Sequence, residues 1–113
     1  MRALLRSAKK KEIGMPLPYI FIYGTARLPC ALDEIEDELQ DRVQPFAEVT
    51  GTGTGESGWN IDLELETIEP INHVLQKITE VIAAILPVTD YSKVELDVSG
   101  TRTSFNQLRD SLK

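Results

Sequence analysis

The sequence predicts one small α+β domain whose elements follow the order β-α-β-β-α-β. Three observations lead to this prediction: strands that alternate apolar and charged residues, helices with one apolar stripe, and a glycine-rich turn between the second and third strands. The chain has 113 residues, which is enough for one ordinary domain. Its apolar content of 42% and charged content of 27% are typical of a globular protein rather than a disordered one.

The first strand is predicted from about Tyr19 to Arg27, after an extended entry set by Pro16 and Pro18. Every residue from 19 to 23 is apolar, which indicates a central strand that is covered, at least in part, on both faces. The pair Leu28-Pro29 ends this strand.

The first helix is predicted to run as far as about Val43, before Pro45. Cys30 falls at the N-cap position, and Asp33 lies where a capping box places its acidic residue. Apolar residues then recur three and four positions apart and form one stripe. The members of the stripe are Leu32, Ile35, Leu39 and Val43.

The second strand, from Phe46 to about Thr54, alternates glycine with threonine in its later half. Glycine in a strand often marks a bulge or a close backbone approach. The stretch 55–58 reads as a turn, and the third strand follows from Trp59 to Glu66 with strict alternation. That alternation predicts a half-buried strand of an antiparallel sheet.

The second helix is predicted to begin near Pro70, a favoured first helical residue, and to end before Pro87. The fourth strand, 93–98, alternates again and ends at Gly100. Ser104 is placed to cap a short last helix.

This element order, with a tight hairpin between strands two and three, is the split βαβ pattern of the ferredoxin-like fold. We therefore expect a four-stranded antiparallel sheet with two helices on one face, and strand one between strands three and four. Residues 19–113 are predicted to form this one domain. Residues 1–18 are predicted to be a basic, flexible tail.

The sheet face opposite the helices is predicted to be acidic. Strands three and four direct five carboxylates to it: Asp62, Glu64, Glu66, Glu95 and Asp97. Strand two is expected to add Glu48, Thr50, Thr52 and Thr54. Strand one shows this face either Tyr19, Phe21 and Tyr23 or Ile20 and Ile22. Outward aromatic residues are favoured, because tyrosine tolerates a wet edge better than isoleucine does.

The charge distribution favours a basic protein as partner. The net charge is −6, but residues 1–15 carry +4 and residues 16–113 carry −10. So acidic a body is a poor match for a phosphate backbone, and no nucleic-acid partner is predicted. Three interpretations fit the basic start: a tail, a start codon upstream of the native one, since Met15 precedes the first strand, and a short nucleic-acid arm.

Other classes of function find little support in the residues. The glycine run 51–55 lacks the helix and lysine of a phosphate-binding loop, and strand three lacks the aromatic residues of an RNA platform. With one cysteine, Cys30, and one histidine, His73, no metal site, cofactor or catalytic residue is predicted. No apolar run approaches a membrane span, and no secretory signal is evident. We expect a cytoplasmic protein that is not an enzyme.

The stretch Glu48–Leu65, with Leu32-Asp33-Glu34-Ile35 before it, resembles small bacterial proteins of uncharacterised or immunity type. The resemblance spans roughly residues 19 to 98. It implies a protein that neutralises a secreted toxin by binding it, and it assigns a role to no single residue.

The resulting hypothesis is a protein-binding domain of immunity or antitoxin type that occludes the active surface of a basic toxin. The predicted binding residues are Tyr19, Phe21, Tyr23, Asp62, Glu64, Glu66, Glu95 and Asp97. Two alternatives stay open: a regulatory or homo-oligomeric assembly domain, with a homodimer as the simplest form, and an enzyme that acts through the hairpin at 51–58.

Overall fold

A five-stranded antiparallel sheet organises residues 17–112, the part of the chain that the computed structural model describes. The strands lie in the order β2-β3-β1-β4-β5. Their bounds are β1 Tyr19–Gly24, β2 Ala47–Gly55, β3 Gly58–Leu65, β4 Val94–Val98 and β5 Thr101–Ser104. The helices are α1 Leu32–Val43, α2 Ile71–Ile85 and α3 Phe105–Ser111, and a 3-10 helix, Val88–Lys93, precedes β4.

The α+β class is confirmed, and β1 pairs with both β3 and β4, as predicted. The sheet has one strand more than the four predicted, because the chain does not leave it at Gly100. Ser99 and Gly100 both have positive φ, 49° and 99°, and form a two-residue hairpin turn to β5. The backbone N–H of Gly100 donates to Asp97 Oδ1 at 2.8 Å and supports this turn.

The third helix begins at the predicted cap. The Ser104 hydroxyl accepts a hydrogen bond from the backbone N–H of Gln107 at 3.2 Å. Phe105 and Leu108 of α3 are buried, and the Phe105 ring packs edge-on against Tyr91 with 5.1 Å between centroids. The predicted last helix is therefore present, and it packs against the core in addition to the two helices that were expected to cover the sheet.

The core lies on one face of the sheet, under α1 and α2. Ile20 and Ile22 of β1 are fully buried there. The apolar side of each alternating strand and the stripe of each helix meet them, so the binary pattern of the sequence matches the packing. The remaining fully buried members include Ile35, Leu39, Ile61, Leu63, Leu65, Ile78, Ile82 and Leu96.

A β-bulge in β2 changes which of its residues face the helices. Val49 pairs with Leu63, but Gly51 pairs with Asp62, so Thr50 is the extra residue. Thr52 consequently lies on the helix side, where its hydroxyl donates to Glu36 Oε1 at 3.4 Å. The prediction that Thr52 and Thr54 face away from the helices was wrong for this reason, while the predicted bulge is confirmed.

The end of the first strand and the start of the first helix differ in detail from the prediction. β1 ends at Gly24, and the N-cap residue of α1 is Ala31, not Cys30. Of the predicted tail, residues 1–16 lie outside the described residues. Leu17 is buried, and the Pro18 carbonyl accepts a hydrogen bond from the Leu65 N–H at 2.9 Å. Within residues 17–112, no helix has the length and apolar character needed to cross a membrane.

Candidate functional site

Three aromatic side chains of β1 form a row on the sheet face that the helices leave uncovered, here called the open face. Since Ile20 and Ile22 fill the core, Tyr19, Phe21 and Tyr23 point the other way and remain partly exposed. The ring centroids of Tyr19 and Phe21 are 4.5 Å apart, and those of Phe21 and Tyr23 are 6.3 Å apart. Of the two orientations open to strand one, the structure has the one with outward aromatic residues.

Carboxylates flank this aromatic row on both sides. On β3, Glu64 lies opposite Tyr19 and Asp62 opposite Phe21. On β4, Asp97 lies opposite Phe21 and Glu95 opposite Tyr23. Directly opposed residues place their Cβ atoms about 5 Å apart, so each ring has a carboxylate within side-chain reach.

Two further acidic residues from the sequence lie at the margin of this arrangement. Glu66 follows the last residue of β3 and is exposed, so the strand does not place it beside the row. Glu48 of β2 lies opposite Glu64 and is only 8% exposed. The compact part of the predicted set is therefore the aromatic row with the four carboxylates beside it.

Arg102 of β5 adds a cation that the sequence did not reveal. Its guanidinium carbon lies 4.8 Å from the centroid of the Tyr23 ring, and its Nη2 donates to Glu95 Oε1 at 2.9 Å. The hydrogen bond to Glu95 raises the pKa of the Arg102 guanidinium. Because β5 was not predicted, no signal placed Arg102 on this face.

The carboxylates beside Phe21 accept hydrogen bonds from neutral donors. Asp62 Oδ1 accepts a hydrogen bond from Asn60 Nδ2 at 3.2 Å, and Asp97 Oδ1 accepts one from the Gly100 N–H. Within residues 17–112 no basic side chain forms an ion pair with Asp62 or Asp97. Arg102 nevertheless lies opposite Asp97 in the β4–β5 pair and the two charges attract, so Arg102 partly neutralises the Asp97 side of the open face as well as its Tyr23 end.

Beyond Asp62, the open face continues over two glycines of β2. The bulge aligns Gly51 with Asp62 and Gly53 with Asn60. A Cβ at Gly53 would lie 2.9 Å from Asn60 Oδ1, closer than side chains normally approach. The open face therefore has no β2 side chains opposite Asp62 and Asn60. The sequence signal for this feature was the glycine-threonine alternation.

A groove of about 470 Å³ lies at the Tyr23 end of the aromatic row, between the β2–β3 turn and the start of β4. Hydroxyl, amide and charged groups line it, including those of Thr54, Ser57, Asn60, Lys93 and Glu95. Lys93 Nζ lies 3.3 Å from Asp90 Oδ1 and is held by that ion pair.

Cys30 and His73 are the one cysteine and the one histidine of the sequence. Burial raises the pKa of the Cys30 thiol, and the neighbouring Glu34 carboxylate adds to the rise, so the thiolate is disfavoured. His73 is exposed and packs edge-on against Phe46, with 5.1 Å between ring centroids. No group of acidic, cysteine and histidine residues within 17–112 is arranged to hold a metal ion.

Comparison of the chain with family models, with curated proteins and with solved structures finds no match. The geometry of the open face is therefore the basis for proposing a function.

Proposed function

We propose that this chain is a non-enzymatic protein-binding domain of immunity or antitoxin type, built on a ferredoxin-like scaffold. In this proposal it neutralises a basic toxin by laying its open face over the active surface of that toxin. One observation carries the proposal: a row of partly exposed aromatic rings flanked on both sides by carboxylates. An exposed apolar row of this kind is typical of an interaction surface.

The two kinds of side chain contribute different things to binding. Aromatic residues at the centre of an interface lose the most exposed area per ordered side chain, so they provide most of the affinity. Carboxylates around them attract a basic partner from a distance and exclude acidic ones. The charge of −10 on residues 16–113 strengthens this attraction.

The test is recovery of a basic partner from the cells that make this protein, with the full chain as bait. The variant Asp62→Lys reverses one charge beside Phe21, and the control Asp37→Lys makes the same change on the exposed side of α1. We expect the wild type and the control to recover the same basic protein, and Asp62→Lys to recover at least about tenfold less.

The recovered protein should also lose its toxic activity when mixed with the wild-type chain. Its association rate should fall as salt rises, because the attraction acts between exposed charges. Equal recovery by Asp62→Lys and Asp37→Lys would contradict the proposal.

The alternative is a regulatory or homo-oligomeric assembly domain, and the position of β2 favours it. β2 has nine residues and forms one edge of the sheet, where a second chain could add a strand. The Gln40 side chain opposes such pairing because it already bonds two backbone groups of this edge. Its Oε1 accepts from the Val49 N–H at 2.9 Å, and its Nε2 donates to the Ala47 carbonyl at 3.4 Å. Light scattering over a range of concentrations tests the homo-oligomeric form of this alternative, and a constant monomer mass would exclude that form.

A further inference from the structure

We infer that the centre of the open face is a binding site for the guanidinium group of an arginine side chain. The site consists of the Phe21 ring with Asp62 on one side and Asp97 on the other. The inference rests on the proposed function only for the source of the arginine, which would be the basic partner. The affinity of the site for guanidinium can be measured without that partner.

The Tyr23 end of the row shows how this face holds such a cation. There the Arg102 guanidinium lies over an aromatic ring, at 4.8 Å from its centroid, and bonds the carboxylate opposite that ring, Glu95, at 2.9 Å. Ring and carboxylate come from directly opposed residues of β1 and β4. This arrangement combines a cation–π contact with a charge-assisted hydrogen bond.

An aromatic ring with a carboxylate on the opposite residue recurs at Phe21, two residues before Tyr23, and here a second carboxylate lies on the other side. Phe21 lies opposite Asp97 on β4 and opposite Asp62 on β3, so its ring has an acidic group on each side. The hydrogen bonds from Asn60 and Gly100 each reach the Oδ1 atom of one of these carboxylates. Arg102 lies opposite Asp97 in the β4–β5 pair, but its guanidinium is placed over the Tyr23 ring and bonded to Glu95, so among residues 17–112 no cation lies over the Phe21 ring.

The geometry favours arginine over lysine. A guanidinium is planar, stacks on an aromatic face and has donors along its edge that can reach two carboxylates at once. The lysine ammonium is compact and more strongly hydrated, so it is less suited to stacking on a ring and to bonding two carboxylates at once. On the β2 side Asp62 lies opposite Gly51, so no β2 side chain stands directly across from this carboxylate.

The experiment is an NMR titration of the full chain with an acetylated, amidated tetra-arginine peptide. Tetra-lysine with the same end groups is the control for charge. We expect tetra-arginine to shift the Phe21 ring signals and the amides of Asp62 and Asp97 first, and to bind about fivefold more tightly than tetra-lysine.

Two variants assign the effect to this site. Phe21→Leu keeps an apolar side chain but removes the ring, and Asp62→Asn with Asp97→Asn removes the two charges. Each should weaken tetra-arginine binding about fivefold or more. Asp37→Asn with Asp41→Asn removes two charges from exposed positions on α1 and should weaken it much less. An unchanged pattern of amide peaks away from the site verifies that each variant is folded.

Equal affinity for the two peptides, or shifts centred elsewhere, would overturn the inference. So would an equal loss of binding in the two double variants, since that would indicate a general charge effect. If tetra-arginine binds as expected and no basic protein is recovered, the guanidinium site stands and the proposed neutralising function fails. If a basic protein binds through Asp62 but the two peptides bind equally, the proposed function stands and the guanidinium site fails.

Discussion

The two faces of β1 differ sharply although the sequence between Tyr19 and Tyr23 is uniformly apolar. Ile20 and Ile22 have no solvent-exposed area, while the three aromatic residues between and beside them remain partly exposed. Aliphatic side chains thus fill the core and aromatic ones form the outer surface. A run of apolar residues can therefore combine one packing face with one binding face, and residue type within the run separates them.

The neighbours of β1 reinforce this division. On the helix side its partners are apolar, such as Ile61 and Leu96, and on the open side they are Asp62 and Asp97. Close packing governs the first face, so its residues should matter for stability. Charge and ring geometry govern the second, so its residues should matter more for binding than for folding. Three experiments sharpen that division.

The largest expected effect follows from truncating the helix face. Ile22→Ala should lower the free energy of unfolding by about 2–5 kcal/mol, because it leaves a cavity among fully buried residues. Phe21→Ala, one position away, should cost about 1 kcal/mol, since a partly exposed ring loses less area. Urea denaturation of both variants measures the difference. Similar losses would show that the two faces contribute equally to stability.

A smaller effect is expected where β1 ends against Trp59. A Cβ at Gly24 would overlap the Trp59 indole, which packs on Gly24 and donates from Nε1 to the Ala26 carbonyl at 2.9 Å. Gly24→Ala should therefore cost about 1–3 kcal/mol and alter the fluorescence of the single tryptophan. The control is Gly55→Ala, where a Cβ would meet nothing within 4 Å. A stable Gly24→Ala variant with unchanged fluorescence would contradict this account of the packing.

The smallest effect is expected on the open face itself. Arg102→Ala removes a cation–π contact and an ion pair whose side chains are both more than half exposed. Such exposed pairs contribute little to stability and are screened by salt. Thermal melts at low and high salt should therefore differ little from the wild type. A loss comparable to that of Ile22→Ala would mean that the open face has a structural role.

Much of the fold could be predicted from the sequence because alternation and helical stripes report burial directly. Strand three and its acidic side followed from residues 59–66 alone, and the position of β1 followed from the element order. β5 was missed because Thr101–Ser104 contains no apolar residue, and the turn at Ser99-Gly100 was taken as the end of the sheet. Arg102 was missed with it.

The candidate site was predicted in composition but not in its internal arrangement. The aromatic row and the carboxylates of β3 and β4 share one face, as the period of two required. Which carboxylate faces which ring depends on strand register, and that is set by packing over the whole sheet. The predicted orientation of Thr52 and Thr54 in β2 was wrong, because no sequence pattern shows where a bulge shifts the alternation.

The bulge in β2 reverses which residues of the strand face the helices. If the strand ran straight past Val49, Thr50 would lie over Asp62 and Thr52 over Asn60, and the glycines would turn toward the helices. The extra residue reverses these assignments for the rest of the strand. One inserted position thus gives the Asp62 and Asn60 side chains room to lie over glycine, where two threonine side chains would otherwise stand.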